Sequence, residues 1–214
     1  MSTGVVGKPS SALRIVVTAE RLFALHGIDG VSLRQIAAEA GSGNNSAVHY
    51  HFGSKDALIV AIFEHRLPQL NSERRLLAMR ATPNDLRSRL EAHYLPLFHL
   101  AEQGDNLYAS FVEQLERQQK IATTPIVGLR GLPDEARSEH EGFRRDLEVL
   151  LDHLEPKLRS LRIAQAELMC LHLAGDRERT REGGGVVPPF GLFVASVLDG
   201  IAAYLVAPPA RQGS

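Results

Sequence analysis

The chain has a single cysteine among its 214 residues, and this scarcity excludes several kinds of protein. One thiol, Cys170, cannot form an internal disulfide, and without a CxxC pair the chain cannot build a structural zinc site of cysteines. A lone cysteine is typical of a chain kept in a reducing cytosol. The N-terminus also lacks the charged start and apolar core of a signal peptide. We therefore expect a cytoplasmic protein.

Long hydrophobic runs are missing as well. The most apolar stretch, residues 188–207, contains Asp199 and Gly200, so we interpret it as a buried helix and expect no membrane partner. No strand-like alternation of useful length and no internal repeat is present. With 44% hydrophobic residues, the chain has the composition of an ordinary globular protein. These patterns predict an all-α protein.

The charge balance does not indicate nucleic-acid binding, and the sequence contains no catalytic motif. The formal net charge is −1, and residues 1–60 hold five basic and four acidic side chains. The sequence has no GxSxG, P-loop, GxGxxG or HExxH pattern. The glycines at 183–185 lack the following Lys-Ser/Thr of a phosphate-binding loop. We expect no enzyme, no cofactor and no metal, and keep a metal-dependent enzyme as the weakest alternative.

What the chain does contain is two short helical patterns between residues 31 and 58. The apolar residues of the first recur at helical spacing: Leu33, Ile36, Ala37 and Ala40. Ser32 is a natural N-cap, and Gln35 three residues later completes a capping box. Gly41 and Gly43 end this helix, because glycine takes left-handed backbone angles without penalty.

The second helix is short and mostly polar. Asn44 or Asn45 caps it, and it runs to about Phe52, where Val48 and Phe52 can bury together. The exposed hydrogen-bonding residues are then Asn45, Ser46, His49 and Tyr50. A polar helix held by another short helix is how a helix-turn-helix presents its recognition helix to the major groove of DNA.

This segment resembles the DNA-binding domain of the TetR/AcrR family of transcriptional regulators. The matching positions are AERLFALHG at residues 19–27, then Val31, Ser32, Ile36, Ala37, Ala40 and Gly41, then His51, Phe52, Lys55 and Leu58. The resemblance covers residues 10–60, and the stretch from Gly41 to His51 is one residue longer than in most members. It implies a three-helix DNA-binding domain followed by a helical ligand-binding and dimerisation domain.

The resemblance also implies which side chains contact DNA. The candidates are Arg34, Asn44, Asn45, Ser46, Ala47, His49, Tyr50, His51 and Lys55. Arg34 can pair with guanine or be a solvated arginine, and Asn45 can read adenine or only cap its helix. His49, Tyr50 and Lys55 match phosphate-contacting positions, and His51 lies near the DNA backbone or is structural. Because His49 and His51 are two residues apart on a helix, they point to different sides and do not chelate a metal.

The remaining sequence predicts how the chain is divided into domains and helices. We expect a disordered arm at residues 1–9, a helix-turn-helix domain at 10–56, a helical regulatory domain at 57–207 and a tail at 208–214. Ser10 or Ser11 caps the first of about nine helices, and Ser54 caps the fourth, which reaches Pro68 and continues, kinked, toward Met79. The later helices are expected at 82–102, with Pro83 at its first position, and at 107–120, 133–155, 161–181 and 190–206. Residues 123–132 and 182–189 are expected to be loops.

Apolar residues of the regulatory domain are either core or ligand contacts. The resemblance implies a ligand pocket, for which the candidates are Phe98, Phe111, Leu115 and Leu147, with His93, Tyr94, Tyr108 and Gln114 as polar lining. It also implies a four-helix dimer interface made by the last two helices of each chain. Its candidates are Ile163, Ala166, Cys170, Val194, Val197, Leu198, Ile201 and Ala203. In the alternative, these stripes pack inside one monomer.

The sequence therefore predicts a homodimeric, sequence-specific DNA-binding regulator. Its partners would be a palindromic double-stranded operator and a small hydrophobic or amphipathic effector that releases a repressor from it. The alternatives are a TetR-like activator and a ligand-independent DNA-binding protein.

Overall fold

The computed structural model describes residues 10–41, 46–104, 106–119 and 128–208, and of residues 46 and 47 only the backbone. The described residues form nine α-helices and no strand, so the predicted all-α class is confirmed. The helices are α1 (Ser11–His26), α2 (Leu33–Glu39), α3 (Ser46–His51), α4 (Lys55–Ala78), α5 (Leu86–Glu102), α6 (Tyr108–Gln119), α7 (Asp134–Leu150), α8 (Pro156–Glu182) and α9 (Phe190–Val206). The predicted arm at 1–9, the tail from 209 onward and residues 123–127 of the predicted loop at 123–132 lie outside the described residues.

Serine caps begin three of the first four helices, as the sequence predicts. The hydroxyls of Ser10, Ser32 and Ser54 accept the backbone N–H three residues ahead, at 3.2, 3.1 and 3.1 Å. Each bond satisfies one of the N–H groups that a helix leaves without an internal partner at its start. These bonds set where α1, α2 and α4 begin.

Helix α4 passes through its internal proline and is 24 residues long. Proline removes one hydrogen bond of the helix, but burial on both sides of Pro68 holds the helix together. Leu67 and Leu70 are buried, and α4 packs along α5 and against α1. The predicted continuation beyond Pro68 is confirmed, and α4 joins the first three helices to the rest of the chain.

Three predicted helix ends are wrong. Helix α5 begins at Leu86 and not at Thr82, because Asn84 has a left-handed φ of 59° and Asp85 is the cap, accepting the Ser88 N–H at 2.7 Å. Helix α7 ends at Leu150, five residues before the predicted end. Helix α8 begins at Pro156, since the Glu155 carboxylate accepts the Leu158 N–H at 3.0 Å and so supplies a cap that the sequence analysis missed.

The helices pack as a small head on a larger body. In the head, α1 packs against α2 and α3, and α2 packs against α3. In the body, α8 packs against α5, α6, α7 and α9, while α5 also packs against α4 and α9. Helix α1 contacts both α4 and α6, so the head is attached to the body through these two helices.

Candidate nucleic-acid interface and interior cavity

Among the described side chains of helix α3, one is buried and the polar ones face solvent. Val48 is fully buried, and Phe52, just after the helix, packs against the same core. His49 and His51 are exposed, and Tyr50 is 86% exposed. A large aromatic ring left in solvent at the end of a short helix is suited to contact a partner such as the DNA backbone.

The other predicted DNA contacts fall into two groups. Arg34 is exposed on α2. Lys55, in contrast, is half-buried, and its Nζ donates to the backbone carbonyl of Ile28 at 2.7 Å. The His51 Nε2 lies 3.4 Å from the Ser11 hydroxyl at the start of α1. Lys55 and His51 therefore also hold the loops of the head in place.

Four more predicted contacts are residues 44–47. Asn44 and Asn45 lie outside the described residues, and so do the side chains of Ser46 and Ala47. The backbone of Ser46 and Ala47 is helical, which places both residues in the first turn of α3.

A buried carboxylate fastens the head to the body. Glu20 of α1 has no exposed surface, and both of its oxygens accept from the Arg66 guanidinium of α4, at 2.7 and 2.8 Å. The same carboxylate accepts the N–H of Leu107, immediately before α6, at 3.2 Å. Charge-assisted bidentate pairs are strong and directional. Glu20 thereby ties α1, α4 and the start of α6 together.

A second buried carboxylate joins α6 to α8. Glu178 accepts the backbone N–H groups of Ala109 and Ser110 at 3.0 and 2.8 Å, in the first turn of α6. Burial raises the pKa of Glu178 to about 7, against the opposing effect of these two hydrogen bonds. The Ser110 hydroxyl donates to the carbonyl of Gly175 at 3.0 Å, and a Cβ at Gly175 would lie 2.9 Å from a Glu113 oxygen. A side chain at position 175 would therefore displace the Glu113 carboxylate.

The body encloses a cavity of about 50 Å³ between α4, α5, α6, α7 and α8. One part of its wall is apolar and consists of Phe63, Leu67, Leu97, Val112, Leu129, Leu132, Ala136 and Leu171. The other part is polar and consists of Arg74, His93, Tyr94, Tyr108, His140 and Glu167. A mostly apolar pocket with a few convergent polar groups is the usual form of a small-molecule site.

An outer pocket of about 240 Å³ lies next to this cavity. Arg74 and His93 line both spaces and so form the partition between them. The Arg74 guanidinium donates to the His93 carbonyl at 3.1 Å, which links α4 to α5 at this point. Burial, reinforced by the nearby Arg74 and His140, holds the pKa of His93 well below its usual value, so its ring is uncharged near neutral pH.

The predicted ligand contacts lie behind the cavity wall. Phe98, Phe111, Leu115 and Leu147 are each no more than 1% exposed and do not line the cavity. Phe111 supports the wall through Phe63, whose ring centroid is 5.7 Å away. The alternative that they are core residues therefore applies to all four in this structure.

The predicted polar lining is mostly in place. His93, Tyr94 and Tyr108 line the cavity, whereas Gln114 donates to the Ala24 carbonyl of α1 at 3.4 Å. Sequence reasoning did not select His140 or Glu167. A signal existed for Glu167, since it is an acid set next to Ala166 on the buried side of α8, where an isolated charge would be costly.

The predicted dimer stripe is largely used within the chain. Buried in the monomer are Ile163, Ala166, Cys170, Val194, Val197, Leu198 and Ile201, and only Ala203 is exposed. The alternative that the stripe packs inside one monomer therefore describes those seven residues. The outward faces of the same two helices carry other exposed apolar residues: Leu161, Leu173, Leu192 and Val206.

Two absences hold for the residues that the structure describes. In that part of the chain, no group of three or more His, Cys, Asp or Glu side chains is placed to hold a metal ion. Within the same limits, no helix is long and apolar enough to cross a membrane.

Comparison with known proteins agrees with this architecture. Residues 15–62 match the family model of bacterial regulatory proteins of the tetR family. Among solved structures, the ketosteroid transcriptional regulator KstR2 of Mycobacterium tuberculosis is 17% identical, with a TM-score of 0.60 over 91% of this chain and 96% of that one. The fatty acid degradation regulator FadR from Bacillus halodurans is 16% identical, with a TM-score of 0.56 over 91% and 96%.

AmtR of Mycobacterium smegmatis is 17% identical, with a TM-score of 0.53 over 97% of this chain and 92% of that one. A comparison with curated protein sequences gives no significant match. At these identities the structures establish a shared fold, and the family model establishes the N-terminal domain. Residues 15–62 therefore match the N-terminal domain of the tetR family of bacterial regulatory proteins, and the chain shares the fold of these solved regulators.

Proposed function

We propose that the protein is a homodimeric repressor that a small hydrophobic or amphipathic ligand releases from a palindromic operator. Its DNA-binding domain comprises residues 10–56, and its regulatory domain comprises residues 57–207. The observation that carries the proposal is the course of α4. Only three residues separate this helix from the recognition helix, and Phe63, Leu67 and Arg74 along its length line the cavity.

Helix α4 can transmit a change in the cavity to the head because it is one continuous helix. A ligand that widens the cavity displaces the middle of α4, and the Glu20–Arg66 pair makes α1 follow. The two heads of a dimer must lie about 34–36 Å apart, or a multiple of that, to enter successive major grooves on one face of DNA. A ligand that prefers the displaced state therefore lowers operator affinity.

For the DNA contacts we propose a division of roles. Base reading belongs to Arg34 and the start of the recognition helix, which comprises Asn44, Asn45, Ser46 and Ala47. Phosphate contacts belong to His49, Tyr50, His51 and Lys55, which fix the register without reading sequence. Because neutralised phosphates release counterions, log affinity is expected to fall linearly with log salt despite the net charge of −1.

We propose that the outward faces of α8 and α9 form the dimer interface. Large apolar residues are exposed on both helices, among them Leu173 and Leu192, and Ala203 and Gly200 leave room for a partner helix. Exposed apolar surface of this kind favours burial against a second copy. Val197 lies on the inner face and is 8% exposed, so a charge there would disrupt the monomer as well as the dimer.

The test is operator binding with and without ligand. Genomic fragments selected by the purified protein, and the region upstream of its own gene, are assayed by mobility shift, and a compound library is then screened for release. Selection of one palindromic fragment, with loss of binding in the presence of a compound, supports the proposal. Failure to select any specific fragment contradicts it, and a reporter gene that is switched on by the bound protein would favour the activator.

A further inference from the structure

The outer pocket is a groove to which three helices each contribute one short set of residues. Helix α4 provides Arg74, Arg75 and Ala78, α5 provides Arg89, Ala92 and His93, and α7 provides Glu139, Gly142, Phe143 and Asp146. Each set spans no more than two turns and lies on one side of its helix. The residues at positions 78, 92 and 142 are small and leave room between the helices.

The charged residues of the outer pocket do not balance. Arg75 pairs with Glu139 at 2.8 Å, and Arg89 pairs with Asp146. Arg74, in contrast, forms no ion pair with any described residue. The other lining residues are uncharged near neutral pH. Three arginines and two acids therefore leave the pocket with a formal net charge of +1.

The unpaired charge of Arg74 is half-buried, and its hydrogen bonds go only to neutral acceptors. The Arg74 Nε donates to the His93 carbonyl at 3.1 Å, and Nη1 donates to the Asn71 side-chain oxygen at 3.2 Å. The third nitrogen, Nη2, donates to no described residue and is not sealed from solvent. Burial lowers the pKa of Arg74, as expected when a guanidinium loses water without gaining a carboxylate. Since removing a charge from water is costly without a partner, an anion is what this group lacks.

We infer that the outer pocket binds a singly charged carboxylate on a compact apolar body, and that the carboxylate pairs with Arg74. The planar fork of a guanidinium matches the geometry of a carboxylate. One negative charge also balances the net charge of the pocket. The inference rests on the proposed function, of which it specifies the effector class. Because Arg74 lines both the outer pocket and the interior cavity, such a ligand would contact α4 directly.

Ligands of other charge fit less well. A cation would face Arg74 and add a second unpaired positive charge. A neutral ligand would leave the guanidinium without an ion-pair partner. A dianion such as a phosphate monoester would make the pocket negative and bring its second charge near Glu139 and Asp146. A single carboxylate meets the charge of the pocket without exceeding it.

The rest of the wall suits an apolar body. Ala78, Ala92 and Phe143 line the pocket, and the Phe143 ring stacks on the uncharged His93 ring with centroids 3.6 Å apart. The volume of the pocket is about 240 Å³. Since an apolar cavity of about 150 Å³ is large enough for benzene, the pocket has room for one ring with its carboxylate. Benzoate is therefore a suitable probe.

The test compares three flat ligands of nearly the same shape that differ in charge: benzoate, benzamide and benzamidinium. Acetate is the fourth ligand and keeps the carboxylate without the ring. Binding to the full-length protein is followed by NMR titration into the millimolar range. We expect benzoate to bind about tenfold or more tighter than each of the others, since a hydrogen bond between charged groups corresponds to a factor of this size. Equal binding of benzamide or acetate, tighter binding of benzamidinium, or no binding of benzoate would overturn the inference.

Two variants of the pocket locate the carboxylate. Arg74→Met should lower benzoate affinity about tenfold or more and leave benzamide affinity unchanged, which shows that the pocket is still formed. The matched control is the double variant Arg75→Met/Glu139→Gln, which removes a complete ion pair from the same pocket and keeps its net charge at +1. It should bind benzoate as the wild type does. Loss of benzoate binding in the control and not in Arg74→Met would place the anion elsewhere and overturn the inference.

Arg74→Lys covers the case in which Arg74→Met does not fold. Lysine keeps the charge but not the fork, so benzoate affinity should fall less than in Arg74→Met, with benzamide affinity unchanged. Equal losses of benzoate and benzamide affinity in Arg74→Lys would show that Arg74 only supports the packing of α4 on α5, which contradicts the inference.

A separate measurement distinguishes this inference from the proposed function. Operator binding is followed by fluorescence anisotropy at saturating benzoate. Binding of benzoate at Arg74 without operator release would contradict release by this effector class and leave the carboxylate site standing. Operator release by an uncharged compound, together with no binding of benzoate, would overturn the carboxylate site and support the proposed function.

Discussion

Replacing Arg66 with methionine should destabilise the protein more than the loss of any single exposed ion pair would. Arg66 makes the bidentate pair with Glu20, and the two side chains are only 11% and 1% exposed. Methionine keeps most of the apolar length of the side chain but removes the charge. Glu20 is then left buried with only the Leu107 N–H as a partner. The cost of an uncompensated buried charge of this kind is about 3–5 kcal/mol.

A matched control lies on the same helix. Arg75 pairs with Glu139 at 2.8 Å, but the two side chains are 59% and 30% exposed. Arg75→Met should therefore cost no more than about 1 kcal/mol, because water screens such a pair. The free energy of unfolding is measured by urea denaturation at one fixed protein concentration, since a dimer's apparent stability depends on concentration.

The double variant Glu20→Leu/Arg66→Met completes the test. It removes both charges and leaves only the Leu107 N–H without its partner, an expected cost of about 1–3 kcal/mol. The double variant should therefore be more stable than Arg66→Met alone. Two results would show that Glu20 does not hold the head and body together. In one, Arg66→Met lowers the free energy of unfolding no more than Arg75→Met does. In the other, the changes caused by Glu20→Leu and Arg66→Met separately add up to that of the double variant.

Three other substitutions test separate parts of the structure. Lys55→Met should lower the thermal stability as well as the affinity for all duplexes, because its ammonium group binds the Ile28 carbonyl, whereas a residue that only contacts phosphate would leave the melting temperature unchanged. Ala203→Arg should give folded monomers in sedimentation and abolish operator binding, and a variant that remains dimeric would place the interface elsewhere. Glu178 has a folded-state pKa of about 7, above its ordinary value of 4.5. Its contribution to the stability of the fold is therefore fully present below about pH 4.5 and is lost as the pH rises through 7. Glu178→Gln should remove this decline, on the order of 3 kcal/mol, and pH-independent differences between wild type and variant would contradict the assignment.

Local signals predicted much of the fold, and their failures have a local explanation too. Ser10 and Ser54 stand three residues before the N–H groups that they accept, so sequence spacing alone identifies them as caps. Thr82 is an equally good cap by type, but Asn84 adopts a left-handed conformation and Asp85 becomes the cap. Competing caps a few residues apart cannot be ranked without the tertiary contacts that select one of them.

By itself, the sequence determined the helical class, the position of the helix-turn-helix and the exposure of His49 and Tyr50, because helical periodicity and caps act within a few residues. Only the tertiary structure decided which apolar stripes of α8 and α9 face inward, since both faces carry apolar residues and packing against the other helices buries only one. It also decided that Tyr94, His140 and Glu167, up to 73 positions apart in the sequence, line one cavity. Pairings between distant residues depend on how whole helices pack, and the spacing of residues along one helix carries no information about them.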